Sequence, residues 1–250
     1  MIKFFRHIRL TLIMEKKTSR YFRYAIGEIL LVVIGILIAL QINNWNEENN
    51  KQKKLETYLI ALKTELNNNI IQLGRASERS REDFTFCIET MRVFNSDSAK
   101  FLTSTDVRKR NSGPVFKIEL YSSVFQDMIS SGVLENLNDI ELKQQIFRID
   151  RHLANYDEDF DNAKNIWENY MLPYHSKHVN VPSLWDSING VALPKLNFKN
   201  DVEAFAYNRD YTNILGSRAR MLANIENESK YIKKDFEILI NNIDKYLNHD

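Results

Sequence analysis

The chain has 250 residues, with 34 Lys and Arg against 33 Asp and Glu, and 44% of its residues are hydrophobic. The formal net charge of +1 argues against a nucleic-acid-binding surface, which would be strongly basic. One cysteine, Cys87, excludes an internal disulfide and a thiolate metal site, and seven Gly with four Pro are few for a strand-rich fold.

Residues 1–23 form a basic segment, in which seven residues are Lys or Arg and only Glu15 is acidic. Over residues 1–17 the apolar side chains recur on one face of a helix, and most basic ones lie elsewhere. The pattern predicts an amphipathic helix that lies on the cytoplasmic leaflet of a membrane. The apolar face consists of Met1, Phe4, Phe5, Ile8 and Leu12.

Residues 24–45 (YAIGEILLVVIGILIALQINNW) predict one transmembrane helix. The stretch between Tyr24 and Trp45 is about 30 Å long as a helix, which matches the hydrocarbon thickness of a bilayer. Tyr24 and Trp45 are residue types that favour the two membrane interfaces. The following QINNWNEENN contains no small-residue cleavage pattern, so we expect an uncleaved anchor.

Glu28, Gly35 and Ala39 are the candidate interaction residues inside the span. Glu28 lies about one turn inside Tyr24, where it is either an interfacial carboxylate or an acid that faces a partner within the membrane. Gly35 and Ala39 are four residues apart, and this spacing would allow a second copy of the helix to pack closely. Homo-oligomerisation through this face is therefore one hypothesis.

The charges on the two sides of the span predict its orientation. Because the basic residues of 1–23 favour the cytoplasm, the positive-inside rule places residues 46–250 on the other side of the membrane. The predicted organisation is a cytoplasmic segment over 1–23, a span over 24–45 and an extracytoplasmic helical domain over 46–250.

Two helices are predicted to follow the span, over 46–73 and 77–94, separated by Gly74 as a C-cap. The first has an apolar stripe at spacings of three and four, formed by Leu55, Leu59, Leu62, Leu66, Ile70 and Leu73. The second has an inward face of Phe84, Cys87, Ile88, Met91 and Phe94, on which we expect the cysteine to fill the core. Residues 95–116 are predicted to be a connector with one helical turn after Thr105.

A short helix is predicted over 119–131, with Leu120, Val124, Met128 and Ile129 directed inward and Gly132 as its left-handed end. A long helix is predicted from Asn138, as N-cap, to Met171, with Pro173 ending it and an irregular region over 173–200. Its seam repeats at 4-3-4-3 spacing: Leu142, Ile146, Ile149, Leu153, Tyr156, Phe160, Ala163, Trp167 and Tyr170.

The last predicted elements are a short helix over 200–208 and a long one over 210–247. The long helix has an apolar seam with Ser229 as its polar exception: Tyr211, Arg218, Leu222, Ile225, Ile232, Phe236, Leu239, Ile243 and Tyr246. Such seams pair in antiparallel bundles. The predicted fold class is all-α: an amphipathic N-terminal helix, one transmembrane helix and an elongated antiparallel bundle of long helices.

The stretch YAIGEILLVVIGILIALQINNWNE, after a basic tail that begins MIKFFRHIR, resembles the N-terminal hallmark of an uncharacterised membrane-protein family of flavobacteria and their relatives. The later stretch SSGVLENLNDIELKQQIF is similar to its Ser-Gly-x-Leu turn followed by a helix. The resemblance implies a single-pass protein of the inner membrane whose C-terminal domain lies in the periplasm. It implies no activity and no catalytic residues.

His175 and His178 are the best candidates for metal ligands, because they lie three residues apart beside a proline. A zinc site needs three or four converging ligands, so we predict no metal site from these two alone. The acidic run at 157–161 and the Ser130-Ser131-Gly132 sequence are interpreted as a solvated face and a helix end. No nucleotide-binding, metalloprotease or nucleophile-elbow motif is present, and we predict neither enzymatic activity nor a cofactor.

The sequence therefore favours a membrane-anchored interaction or scaffold module that faces the periplasm. The alternative is a sensor-like bundle that binds a small ligand between its helices and passes the signal to a partner. The expected partners are the lipid bilayer, an unidentified protein, and a second copy through Gly35 and Ala39 or through the helical seams. No nucleic-acid partner is expected.

Overall fold

The computed structural model describes residues 18–110, 113–180, 187–194, 198 and 200–249. The amphipathic helix predicted over 1–17 lies outside the described residues. Helices make up most of the described chain, and its strands form one small hairpin, which confirms the predicted all-α fold class. It divides into two compact units, Met1–Glu56 and Thr57–Asp250.

Helix α1 spans Thr18–Phe94, and the division between the two units falls within it. In the first unit, every residue of 29–48 is exposed. The most apolar 18-residue window of α1 has a mean hydropathy of 2.6, and none of that window is buried. By length and composition this helix is able to cross a membrane, and it is the one such helix among the described residues.

Helix α1 does not end at Gly74, so the prediction of two helices separated by a glycine C-cap is wrong. A glycine in a helix interior costs about 1 kcal/mol relative to alanine, which is a weak preference that packing overrides. Leu73 and Ala76 are buried on either side of Gly74 and keep the helix in register. The predicted stripe continues through Cys87 and Phe94, which are both buried.

The connector after α1 contains more helix than predicted. A 3-10 helix covers Asp97–Phe101 and helix α2 covers Ser104–Lys109. Helix α3 covers Ser123–Ser130, so the helix predicted from residue 119 begins four residues later.

A buried carboxylate on α1 determines where α3 begins. Glu65 accepts hydrogen bonds from the backbone N–H groups of Val124 at 2.8 Å and Phe125 at 3.1 Å, and from the Ser123 hydroxyl at 3.1 Å. These are the free N–H groups of a helix N-terminus, which a carboxylate satisfies well. Asn69, one turn further along α1, exchanges two 2.7 Å hydrogen bonds with the backbone of Tyr121.

This capping also decides which face of α3 is buried. Phe125 and Met128 are buried, whereas Ile129, predicted to point inward, is 40% exposed. Gly132 has φ of 67°, which confirms the predicted left-handed end, and a 3-10 helix over Val133–Asn136 follows.

Helix α4 covers Ile140–Ile166 and continues through a π-helical turn, Trp167–Met171, into helix α5, Leu172–His178. Its N-cap is Asp139, whose carboxylate accepts the N–H of Leu142 at 2.9 Å, rather than the predicted Asn138. The predicted end at Pro173 is also wrong.

The π-helical turn explains how the helix passes Pro173. In this turn the N–H of Leu172 bonds to the carbonyl of Trp167, five residues back, and the wider turn relieves the clash that a proline ring causes in a regular helix. The extra residue shifts the seam by one position. Met171 is therefore fully buried, whereas Tyr170, the last predicted seam residue, is 56% exposed.

A two-stranded antiparallel hairpin lies within the region predicted to be irregular over 173–200. Strand β1 covers Ser187–Ile188 and strand β2 covers Val191–Ala192. The turn residues Asn189 and Gly190 have φ of 50° and 79°. Positive φ at both positions is the geometry for which Asn-Gly is preferred, so this dipeptide was the sequence signal for the hairpin.

Helix α6 covers Arg209–His249, close to the predicted 210–247. The short helix predicted over 200–208 is instead a series of turns, and Tyr207 has φ of 52°. Most of the predicted α6 seam is buried, and Ser229 is its buried polar exception.

Helix α6 runs antiparallel to the part of α1 in the second unit. The Lys63 ammonium reaches the carboxylate of Asp244, and Asn95 donates a hydrogen bond to the Thr212 hydroxyl at 3.1 Å. Residue numbers therefore rise along one helix as they fall along the other.

Helix α4 is antiparallel to α6 as well. Asn242 donates to Gln145 at 2.9 Å, and Asn155 donates to Glu228 at 3.4 Å. The second unit is thus built from three long helical segments in which α6 packs against both others.

Candidate functional site

Four polar or ionisable side chains meet inside the second unit, where α1, α5 and α6 come together. These residues, called here the polar core cluster, are at most 1% exposed: Cys87, His175, Tyr211 and Arg218. Aromatic rings surround them, and Phe205 stands edge-on to the Tyr211 ring at 4.6 Å between centroids. Buried polar groups of this kind need partners inside the protein.

His175, one of the two predicted metal candidates, belongs to this cluster. Its Nε2 lies 3.2 Å from the Tyr211 hydroxyl, and Trp167 packs edge-on against its ring at 6.0 Å between centroids. Its Nδ1 has no hydrogen-bond partner among the described residues. Burial, with a smaller contribution from the Arg218 charge, lowers the pKa of His175 to about 4. The imidazole is therefore neutral at pH 7.

Arg218 is fully buried and only partly satisfied. Its Nη2 donates to the Gly113 carbonyl at 2.6 Å, and its guanidinium lies over the Trp167 ring at 5.5 Å from the centroid. Its Nε and Nη1 have no hydrogen-bond partner in the part of the chain that the structure describes. Burial lowers the pKa of Arg218, against the opposing effect of Cys87 and Asp83. The guanidinium links α6 to the connector that contains Gly113.

Cys87 lies in the core, as its place on the α1 stripe predicted. Burial raises the pKa of its thiol to about 11, although the Arg218 charge acts in the other direction. Because the thiolate is the reactive form, this thiol is protonated and unreactive near pH 7.

His178, the other predicted metal candidate, has a different partner from His175. Its Nδ1 lies 3.2 Å from the Asp201 carboxylate, and its ring packs on Tyr174 at 4.7 Å between centroids. No group of three or more His, Cys, Asp or Glu that could hold a metal ion occurs among the described residues.

The acidic run at 157–161 lies on α4, where Asp157 pairs with Lys117 at 2.7 Å. The Lys117 ammonium also lies over the ring of the buried Phe160, 6.0 Å from its centroid. This part of α4 contributes one ion pair and one core residue.

The site residues predicted in the span lie on α1 in the first unit. Glu28 is half-buried, whereas Gly35 and Ala39 are exposed and Trp45 is 68% exposed. The side chain of Tyr24 lies outside the described part of the structure.

Sequence reasoning missed a pair between α4 and α6 that joins a buried histidine to a partly exposed carboxylate. His152 is 3% exposed, and its Nε2 lies 3.1 Å from the Asp235 carboxylate. Burial lowers the pKa of His152 more than Asp235 raises it. The available signal was the position of His152, three residues after Ile149 and four before Tyr156, which places it on the seam.

Sequence reasoning also missed a cleft between α1 and α6, with a volume of about 260 Å³, called here the α1–α6 cleft. Its small or apolar lining residues are Leu73, Gly74, Ser77 and Ser229. Its charged lining residues are Glu78, Arg81, Glu226, Lys230 and Lys233. The cleft could not be found from sequence because it depends on how two helices distant in the chain are aligned.

The fold and these features define an all-α protein that has, among its described residues, one apolar helix of membrane-spanning length and a packed helical unit. A family model, described as a family of unknown function (DUF6090), matches residues 28–148, which is slightly less than half of the chain. The match confirms the resemblance to an uncharacterised family. The matched residues include the first motif from residue 28 onward and the whole of the second motif. No curated protein and no solved structure matches the chain.

Proposed function

We propose that this protein is a single-pass, membrane-anchored interaction module whose helical unit binds a partner protein on the periplasmic side. The observation that supports the anchor is the exposure of apolar side chains all round α1 between residues 26 and 42. Burying one Leu, Ile or Val side chain contributes roughly 1.5–3 kcal/mol, so leaving this many in water would be very unfavourable. A lipid bilayer removes that cost.

The buried groups of the second unit favour binding over catalysis. Cys87, His175 and Tyr211 are enclosed in the core, where a substrate does not reach them. Burial also keeps the cysteine protonated and the histidine neutral near pH 7, which suits a structural role. The orientation rests on the basic residues of 1–23 and the positive-inside rule.

The anchor and its orientation are tested with a reporter fused after Asp250 that is active only outside the cytoplasm. We expect activity together with recovery of the fusion in the membrane fraction. A fusion that is membrane-bound but inactive would reverse the orientation, and a fusion in the soluble fraction would contradict the anchor.

The partner is tested by cross-linking the full chain in intact membranes and purifying it in detergent. We expect a partner at fixed stoichiometry, either another protein or a second copy of the chain. Recovery of the chain alone, as a monomer, would contradict the interaction function.

A second candidate function is a sensor that binds a small ligand within the bundle. The α1–α6 cleft favours it, because the enclosed Ser229 hydroxyl has no hydrogen-bond partner among the described residues. The test is thermal unfolding of the detergent-solubilised chain with panels of small molecules. Unchanged melting temperatures throughout would contradict a sensor function.

A further inference from the structure

The lining of the α1–α6 cleft includes a buried hydroxyl group, that of Ser229. Ser229 is 0% exposed, and its Oγ lacks a partner within the described chain. Serine in a helix can donate to the carbonyl one turn earlier, but this hydroxyl does not do so. Because buried polar groups are normally hydrogen-bonded, an occupant of the cleft would supply the missing acceptor.

Gly74 leaves space on the opposite wall of the cleft. An added Cβ at Gly74 would meet no atom within 4 Å, so no neighbouring side chain requires a glycine here. Its backbone is helical and does not require glycine either. Glycine has no side chain, so this wall of the cleft is formed by the helix backbone and leaves room for an occupant.

The charged residues at the cleft favour an anionic group. Three cations (Arg81, Lys230 and Lys233) outnumber two carboxylates (Glu78 and Glu226). Lys230 and Glu226 pair with each other at 2.5 Å and largely neutralise one another. The ammonium of Lys233 lies 4.0 Å from the carboxylate of Glu237, which does not line the cleft, and this pair is weak because both side chains are solvent-exposed. Within the cleft, Arg81 and Lys233 therefore have Glu78 as the one other carboxylate beside the Lys230–Glu226 pair. Cationic donors of these two types form strong hydrogen bonds with phosphate and carboxylate oxygens.

We propose that the α1–α6 cleft binds a small molecule through an oxyanion, either a phosphate or a carboxylate group. Arg81 and Lys233 supply the charged donors, and Ser229 supplies a neutral donor from inside the cleft. The volume of about 260 Å³ lies just below the range of about 300–1,000 Å³ that is usual for small-molecule pockets, so it suits a small anion. This inference rests on the second candidate function, for which it names the chemical class of the ligand.

The test is calorimetric titration of the detergent-solubilised full chain, separately with inorganic phosphate and with succinate, in a chloride buffer of low ionic strength. We expect saturable binding of at least one of them, and the one that binds identifies the group as phosphate or carboxylate. Arg81→Gln and Lys233→Gln should each weaken binding about tenfold, because each removes a charge-assisted hydrogen bond. Lys234→Gln is the matched control, since Lys234 is exposed and does not line the cleft.

Two further variants separate binding from folding. Gly74→Leu should abolish binding by filling the cleft, with an unchanged or higher melting temperature because leucine favours the helix. Ser229→Ala should weaken binding without lowering the melting temperature, because it removes an unpaired buried hydroxyl. Gly74→Ala, which leaves most of the cleft open, should retain binding.

Absence of binding by both anions would overturn the inference, as would binding that survives Arg81→Gln and Gly74→Leu unchanged. A neutral or cationic molecule that binds alone, and is lost in Gly74→Leu, would overturn the oxyanion assignment while supporting the sensor function. The two proposals can therefore fail separately.

Discussion

Residues 26–42 and the unit Thr57–Asp250 differ in where they place their polar and apolar side chains. The first region exposes nearly all its apolar side chains, for example Ile34 at 54% and Leu37 at 59%. The second encloses Glu65, His175 and Arg218, each at most 6% exposed. In a soluble protein, apolar side chains are mostly buried and charged ones mostly exposed. The first region departs from this rule by exposing apolar groups, and the second by burying polar ones.

The difference shows that each region has to be judged by the medium that surrounds its side chains. Apolar groups that face outward on all sides of a helix are stable in lipid, where no apolar stripe is needed. Polar groups that face inward are stable where the fold supplies partners, as Val124 and Phe125 do for Glu65. Matched substitutions in the two regions test this difference, and changes to the buried polar groups test the partners that the second unit supplies.

The largest effect is expected from charges in the exposed apolar region. The double variant Ile34→Arg, Ile38→Arg should release the protein from the membrane, because each arginine at the centre of a span costs about 2.5–3.5 kcal/mol. The measurement is the fraction of protein that remains in membranes after an alkaline carbonate wash.

The control for that prediction is the double variant Ile60→Arg, Ile71→Arg on the same helix. All four isoleucines are 54–56% exposed, so exposure alone does not distinguish them. We expect the control to stay in the membrane fraction, since surface substitutions change stability by roughly 0.5 kcal/mol or less. If both double variants were lost from the membrane fraction to the same extent, the two regions would share one environment and the comparison would be wrong.

The next effect is expected from removing methyl groups in the buried stripe of α1. Leu62→Ala should lower the free energy of unfolding by about 2–5 kcal/mol, because Leu62 is 0% exposed and its truncation leaves a cavity. Leu37→Ala is the matched change in the exposed region and should leave unfolding of the second unit unchanged. Denaturant unfolding of the full chain in detergent, followed by circular dichroism, measures both.

The helical seams could be predicted from the sequence because burial along a helix follows a fixed period. The seam of α6 was predicted nearly in full, and Ser229 was identified as its polar exception. Helix ends were wrongly predicted at Gly74 and Pro173 for a common reason. Each residue type disfavours a helix interior, but by a few kcal/mol at most. Buried neighbours override this preference at Gly74, and a π-helical turn overrides it at Pro173.

The candidate sites were less predictable than the helices, because they join residues far apart in the chain. Arg218 lies 105 positions from Gly113, whose carbonyl it binds, and His152 lies 83 positions from Asp235. Periodicity places a residue on a face but does not identify the partner opposite it. The Asn189-Gly190 hairpin is different, because its signal is local and was overlooked.

A smaller effect is expected from acid, through the buried histidine of the polar core cluster. Burial lowers the pKa of His175 to about 4 from an ordinary 6.5. As the pH falls, this histidine is therefore protonated in the unfolded state before it is protonated in the folded state. The stability that this histidine contributes is complete above pH 6.5 and is lost progressively as the pH falls toward 4. The total loss is about 3 kcal/mol by linkage, measured by denaturant unfolding across this range.

The variant His175→Gln should reduce that pH dependence, because glutamine does not titrate. Some dependence should remain, since burial lowers the pKa of His152 in the same direction. Tyr211→Phe is the control: it removes the hydroxyl 3.2 Å from Nε2 but keeps the ring that buries His175, so the wild-type slope should persist. An unchanged slope in His175→Gln would contradict the assignment.

The smallest effect is expected at Glu65, where a polar group is stable in the interior because it caps α3. Glu65→Ala should cost about 2 kcal/mol, because the N–H groups of Val124 and Phe125 lose a charged acceptor. Glu89→Ala, at an exposed position of the same helix, should cost little. Hydrogen exchange gives a local measurement: the amides of Val124 and Phe125 should exchange faster in Glu65→Ala only. If they keep their protection, the carboxylate does not hold the start of α3, and its burial would need another cause.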